Sequence, residues 1–170
     1  MISKITGHKD FDGFLAGAID MHVHCGQDHV ERLMTDEQTI AEALRHGMKG
    51  LLLKSHTRCT LANCNEAQRR LGVQNAAFGS LVLNSWQQAE DIKAIEAAIA
   101  DGLKLIYMPT VMSTNPLNPV HLDGQRMSLL EYGRLKPSIV KVIEAAVNGG
   151  CTIATGHAGA SECGTQSSAM

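Results

Sequence analysis

The stretch Ala18-Ile19-Asp20-Met21-His22-Val23-His24-Cys25-Gly26 decides how the chain is organised, because three polar side chains alternate with apolar ones in a short strand pattern. A β-strand turns successive side chains to opposite faces, so Asp20, His22 and His24 are predicted to share one face. Two imidazoles at that spacing can bind one metal ion, and Asp20 can join them as a ligand or orient a histidine. Such a set suits zinc, iron, nickel or manganese better than calcium, which prefers oxygen ligands. The alternative is a half-buried strand whose histidines only find hydrogen-bond partners.

Apolar runs alternate with helical patterns along the rest of the chain, which is typical of a parallel sheet covered by helices. The predicted strands are Ile19–His24, Gly50–Leu53 running on into Lys54-Ser55-His56, Ala77–Leu83, Leu103–Met108 and Cys151–Thr155. Four helices are predicted. The first follows a capping box at Thr35-Asp36-Glu37-Gln38, and the others run from Thr60 to Leu71, over Ser85–Ala100, and from Pro137 to Gly149.

Two α/β architectures compete for this pattern, an open doubly wound sheet and a (β/α)-barrel. The sequence lacks the glycine-rich loop of a nucleotide-binding sheet, and polar residues stand where the strands end, as in barrels. We therefore predict an incomplete TIM-like barrel of about five βα units, since a closed barrel typically needs about 250 residues. It is predicted as one partial domain over residues 1–170, irregular at 111–133 and in a tail at 158–170. The polar residues at strand ends are His22, His24, Lys54, His56, Asn84, Thr110 and His157.

An incomplete barrel leaves two sheet edges unpaired and an inner face without its opposite wall. We expect Leu52, Leu81, Leu83 and Leu105 to be poorly covered, so the chain should be aggregation-prone or partnered, a homo-oligomer included. The alternative is a self-sufficient open sheet.

Composition excludes several classes of partner. Fifteen Lys and Arg against 17 Asp and Glu give a net charge of -2, which does not favour nucleic acid or an acidic membrane surface. The apolar runs are too short to span a bilayer, and the first twenty residues lack the apolar segment of a secretory signal. The five cysteines form no regular framework, so we expect reduced thiols in a cytoplasmic protein that acts on a small molecule.

Lys54 and His56 are the candidate catalytic residues, because they share a face at the end of one predicted strand. Lys54 can bind an anionic substrate, act as a base, or carry a carbamate, unless it only extends its amine into water. His56 can be a ligand or an acid–base group, and His157 a ligand or a hydrogen-bonding residue. Asp28 is interpreted as a solvated loop residue, and Cys25 is not made a nucleophile because it should point away from His24. The histidines interpreted as surface or loop residues are His8, His29, His46 and His121.

The motif Asp20-Met21-His22-Val23-His24 resembles the strand-one signature of the amidohydrolase-like metal-dependent hydrolases. The segments GLLLKSH (50–56), YMPT (107–110) and ATGH (154–157) extend the resemblance to an uncharacterised amidohydrolase-like family of (β/α)-barrel proteins. The resemblance implies a divalent metal, commonly zinc, and a metal-activated water that attacks a C–N or C–O bond of a small metabolite. It makes His22 and His24 metal ligands and aligns His157 with the strand-five histidine.

Several departures from this family qualify what the resemblance implies. The bridging lysine or acid usually ends strand four, where this chain has Thr110, whereas Lys54 ends strand two. A histidine at the end of strand two is similar to the polymerase-and-histidinol-phosphatase (PHP) phosphoesterases. The strand-six histidine and strand-eight aspartate have no counterpart, so the resemblance implies the N-terminal part of such an enzyme, with little activity. The alternatives are thus a PHP-type phosphoesterase and a non-catalytic metal-binding fragment.

Overall fold

Parallel strands joined by helices form the fold in a computed structural model, which describes residues 13–118, 120, 124 and 126–167. The strands are β1 (Ile19–His24), β2 (Gly50–Lys54), β3 (Ala77–Phe78), β4 (Ser80–Val82), β5 (Leu105–Tyr107), β6 (Leu130–Glu131), β7 (Arg134–Leu135) and β8 (Thr152–Ala154). The helices are α1 (Asp36–Arg45), α2 (Leu61–Leu71), α3 (Trp86–Glu90), α4 (Ile92–Ala100), α5 (Pro137–Asn148) and α6 (Ala160–Ser167).

The order of the parallel strands follows the order of the chain. One sheet pairs β1-β2-β3 and the other pairs β4-β5-β8, and β3 and β4 are separated only by Gly79. The prediction of an α/β fold with parallel strands is confirmed. The described residues form no closed barrel.

The predicted strand Ala77–Leu83 is interrupted, and the start of α2 explains why. A Cβ on Gly79 would lie 2.5 Å from the Leu61 Cα, so only glycine allows the two backbones to approach this closely. Two buried hydroxyls then replace part of the strand ladder: Thr60 Oγ1 and Ser80 Oγ both donate to the Leu53 carbonyl, at 2.8 and 2.7 Å. These contacts hold β4 beside the end of β2.

Helix boundaries agree with the predicted caps except in one helix. Thr35 forms the predicted capping box with Gln38 at the start of α1, and α2 ends at Gly72 in the left-handed region. The single helix predicted over Ser85–Ala100 is wrong, because the chain breaks at Asp91 into α3 and α4. The Asp91 side chain accepts a hydrogen bond from the Ala94 N–H, which starts a second helix there.

Two segments predicted to be irregular contain regular structure. Within 111–133 the chain forms β6, which pairs antiparallel with β7. The prediction of an irregular tail over 158–170 is also wrong, because α6 covers Ala160–Ser167; residues 168–170 lie outside the described part. Glu162 ties this polar helix to the hairpin, since its carboxylate accepts from the Leu129 N–H at 2.8 Å and the Gly159 N–H at 3.1 Å.

Apolar side chains are buried on both faces of the sheets. On one face they pack against the helices, and Leu81 and Leu83 belong to this layer and not to the inner face. The inner face holds a smaller cluster of Leu52, Val82, Leu105 and Tyr107. Leu52 and Leu105 are only 2% and 7% exposed, so the expected poor covering of these leucines is wrong. No helix in the described residues is both long and apolar enough to cross a membrane.

Candidate metal centre

The two histidines of the opening motif meet at the carboxyl end of β1. The pairing of β1 with β2 is irregular between Asp20 and Val23, yet His22 and His24 still face the same side. Their Nε2 atoms are 3.1 Å apart. Two nitrogens bonded to one zinc ion at about 2.0–2.1 Å lie about 3.3 Å apart at a tetrahedral angle and about 2.9 Å apart at a right angle. The observed separation therefore fits a shared metal ion.

Lys54 ends β2 directly beside this pair. Its Nζ lies 3.2 Å from His22 Nε2 and 4.2 Å from the centre of the Tyr107 ring, and the residue is 1% exposed. Burial lowers the pKa of Lys54 to about 8. None of the carboxylates in the described residues forms a direct ion pair with Lys54, although the charge of Asp28 raises its pKa and so partly opposes the effect of burial.

Asp28 occupies the centre of the polar cluster, although its sequence context indicates a solvated loop residue. Gly26, at φ +63°, turns the chain after β1, and the Asp28 side chain is fully buried beneath His24. Its carboxylate contacts His24, His29, Arg32 and the N–H of His56. Burial raises the pKa of Asp28, but hydrogen bonds from Arg32, His29 and His56 outweigh it and hold the pKa well below its usual range. The interpretation of Asp28 as solvated is wrong.

His56 is held by a second polar network that joins three strand ends. Its Nδ1 lies 2.7 Å from the Thr110 hydroxyl, and Asn84 Nδ2 donates to that hydroxyl and to the His56 carbonyl, both at 2.9 Å. The Thr110 N–H returns a bond to Asn84 Oδ1 at 2.8 Å. The prediction that these rim residues lie at the same end of the sheet as His24 is confirmed, since the His24 and His56 rings stack at 4.7 Å.

The remaining predicted ligands are His157 and Asp20. The His157 ring is 6.3 Å from the His56 ring, and Ser113 and Asn115 both donate to the His157 carbonyl. Asp20 is exposed, and its carboxylate accepts from the His22 N–H at 2.9 Å. Asp20 thus contacts the backbone of β1 here, and its role as a metal ligand stays a prediction, as does that of His157.

Electrostatics keep the central imidazoles neutral at pH 7, the state that a metal ligand requires. Burial is the main cause: it lowers the pKa of His24 to about 4 and that of His56 to about 3. The pKa of His22 is lowered by burial and by the charge of Lys54. Cys25 is buried on the opposite side of the strand, where burial and Asp36 raise its pKa to about 12, so it is no nucleophile.

Two ligand sets in the described residues could hold a metal ion. One is the Nε2 pair of His22 and His24. The other is His24, Asp28 and His56, whose potential ligand atoms all lie within 4.8 Å of one another. The coarse prediction of a metal site is met by both sets, and neither identifies the metal.

Besides Asp28, three residues belong to the cluster without having been predicted as site residues: His29, Arg32 and Tyr107. The sequence context of His29 indicates a loop residue, but its ring contacts Asp28 and packs edge-on against His56 at 4.8 Å. The spacing of four residues from His24 to Asp28 and again to Arg32 was the available signal. His46 is exposed on α1 as predicted, and His8 and His121 lie outside the described residues.

Residues 17–167 match the model of a family of unknown function (DUF6282), and the chain belongs to that family. The match covers every strand and helix described above. Neither the curated proteins nor the solved structures yield a match to the chain.

Proposed function

We propose that the chain is a metal-dependent hydrolase of the amidohydrolase type, acting on a C–N or C–O bond of a small metabolite. The observation that carries this proposal is the 3.1 Å separation between His22 Nε2 and His24 Nε2. His24 Nδ1 faces a carboxylate, which leaves the lone pair of His24 on Nε2, and His22 Nε2 accepts from the Lys54 ammonium. A metal ion that takes the place of the ammonium contact at His22 could therefore bind both Nε2 atoms.

The strand order supports the architecture that the proposal requires. Parallel strands that follow the chain order, with the polar residues at their carboxyl ends, are the arrangement of a (β/α)-barrel and not of a doubly wound sheet. We infer an incomplete barrel of this type, in which the cluster of His22, His24, Lys54, His56 and His157 occupies the position of a barrel active site.

Zinc is the metal that we propose, with manganese, iron or nickel as alternatives, held by His22 and His24 with His157 and Asp20 as further candidate ligands. When bound, such a metal lowers the pKa of a coordinated water and polarises the scissile bond. A metal bound to His22 would take the lone pair that Lys54 now contacts. The Lys54 ammonium would then be available to bind an anionic group of the substrate. His56, whose Nδ1 contacts the Thr110 hydroxyl and whose ring stacks on that of His24, is the candidate to donate or accept a proton.

One observation favours a phosphoesterase of the PHP type as a second candidate. The buried Lys54 ammonium contacts His22 and the Tyr107 ring and forms no direct ion pair with a carboxylate, which suits the binding of a phosphate group. The non-catalytic alternative is favoured by Asp28, whose carboxylate is fully engaged in hydrogen bonds and is therefore not placed as a general base.

Metal retention tests the proposal most directly. The chain is loaded with zinc and dialysed. Its metal content is compared with that of the His22→Ala/His24→Ala variant and of His46→Ala, which removes an exposed histidine directly after α1. We expect about one zinc ion per wild-type and His46→Ala chain, and a large loss in the double variant. Equal retention in all three proteins would refute the proposed centre.

A substrate panel then separates the candidate functions. The zinc-loaded chain is assayed with simple amides, lactones and phosphomonoesters, with Lys54→Met as the comparison. Turnover of amides or lactones that the double histidine variant loses supports the proposal. Turnover of phosphomonoesters alone supports the second candidate, and metal retention without turnover of any substrate supports the non-catalytic alternative.

A further inference from the structure

We propose that Asp28 is a positioning residue that fixes the tautomer and aim of His24, and is not itself a metal ligand. The inference rests on the proposed metal centre but concerns a residue outside the histidine motif. The set of His24, Asp28 and His56 requires Asp28 to bind the ion, so this role of Asp28 favours the pair of His22 and His24 instead. The hydrogen bonds of its two carboxylate oxygens decide the choice.

The first oxygen, Oδ2, is already saturated. It accepts from Arg32 Nε at 3.1 Å and from Arg32 Nη2 at a shorter distance, and His24 Nδ1 lies 3.1 Å away. A carboxylate oxygen offers about two lone pairs, so three donors leave none for a metal ion. A guanidinium bound side-on also places a positive charge where a cation would have to enter.

The second oxygen, Oδ1, is equally occupied. It accepts from the backbone N–H groups of His56 at 2.8 Å and His29 at 2.9 Å, and His29 Nδ1 is 3.1 Å away. Ser55 Oγ adds a longer contact at 3.5 Å. Asp28 thereby connects the end of β1 to the end of β2. A metal ion could reach Asp28 only by displacing several of these bonds.

The contact with His24 determines which ring nitrogen carries the proton. A carboxylate only accepts hydrogen bonds, so His24 Nδ1 must donate to it. Arg32 Nη2 also lies 3.2 Å from His24 Nδ1, but it makes its shorter contact with Asp28, which leaves Nδ1 to donate. With the proton on Nδ1, the lone pair is on Nε2, and Nε2 is the atom that faces His22. A carboxylate behind a ligating histidine orients the ring and raises its basicity.

Two variants of Asp28 test this role, with Asp101→Ala as the control because Asp101 is an exposed residue at the end of α4. Asp28→Ala removes every acceptor, and Asp28→Asn keeps one oxygen that can still accept from His24. If Asp28 positions His24, zinc affinity falls by about 10–100-fold in Asp28→Ala and by less in Asp28→Asn. The absorption intensity of bound cobalt, which reports the coordination number, should be the same in both variants as in the wild type. Equal losses in both variants with an altered cobalt spectrum would mean that Asp28 is a ligand.

A measurement without metal separates this inference from the proposed function. Nitrogen-detected NMR of the metal-free chain, with His24→Gln used for assignment, reports which nitrogen of His24 carries the proton. We expect the Nδ1–H form in the wild type and in Asp101→Ala, and its loss in Asp28→Ala. An Nε2–H form of His24 in the wild type would overturn the inference, whether or not the chain binds zinc. A wild-type chain that binds no zinc but has the Nδ1–H form would refute only the metal centre.

Discussion

The Thr110 hydroxyl supports His56, and its removal should measurably destabilise the chain. Thr110 is fully buried, and its Oγ1 lies 2.7 Å from His56 Nδ1 and 2.9 Å from Asn84 Nδ2. Thr110→Val keeps the shape of the side chain but removes both contacts. Asn84 Nδ2 keeps its bond to the His56 carbonyl, whereas His56 Nδ1 loses its partner.

The size of the effect follows from that one orphaned group. A buried polar group that loses its partner costs about 1–3 kcal/mol, so we expect the free energy of unfolding to fall by about 2 kcal/mol. Thr39→Val is the matched control, because Thr39 is also buried and its hydroxyl donates to the Thr35 carbonyl at 2.8 Å. That carbonyl also accepts from the Thr39 N–H, so this variant should lose only about 0.5–1 kcal/mol.

Urea unfolding of the metal-free proteins, followed by circular dichroism, measures both losses. With a denaturant dependence of about 2 kcal/mol per molar urea, Thr110→Val should lower the midpoint by about 1 M and Thr39→Val by less than about half of that. If the two variants have the same midpoint, the Thr110 hydroxyl does not support His56.

Three further predictions concern other parts of the molecule. Glu162→Ala should lower the melting temperature by about 5–10 °C, because two backbone N–H groups lose their acceptor. Glu144→Ala, at an exposed position, should leave the melting temperature unchanged. Equal melting temperatures in the two variants would show that Glu162 does not stabilise the position of α6. Lys54→Met should raise the free energy of unfolding of the metal-free chain by about 1–3 kcal/mol in urea titrations, since it removes a buried charge that forms no direct ion pair. A destabilised variant would contradict this. Burial raises the pKa of Cys64 to about 12, so Cys64 should react with a thiol reagent at pH 8 only after unfolding. Labelling of Cys64 in the native chain, detected by peptide mapping, would disprove this prediction.

Local patterns predicted those parts of the fold that depend on neighbours in the sequence. The capping box at Thr35 and the strand Ile19–His24 need only residues within a few positions, and both are present. The breaks at Gly79 and Asp91 and the helix α6 were missed. Gly79 depends on the approach of Leu61, and α6 on hydrogen bonds between Glu162 and the Leu129 region more than thirty residues away. Such contacts leave no periodic signal in the sequence.

The candidate site shows the same division. Alternation along one strand predicted that His22 and His24 face the same side, and polar residues at strand ends predicted the rim of Lys54, His56 and His157. The role of Asp28 was not predictable in this way. Its side chain is buried because the turn at Gly26 folds the loop under β1, where the end of β2 supplies the N–H of His56. A lone aspartate in a loop looks solvated until its partners from another strand are known.

The proposed metal binding and the proposed hydrolysis can be tested separately. Within the described residues, Asp28 holds His24, Thr110 holds His56, and Ser113 and Asn115 hold the backbone of His157. The proposed metal site can be built from these groups. Hydrolysis also requires a group that takes a proton from water, and the Asp28 carboxylate is engaged in other hydrogen bonds. A variant that loses zinc must therefore be altered at the histidines or their supports, whereas a zinc-loaded chain without turnover would indicate that only the proton acceptor is missing.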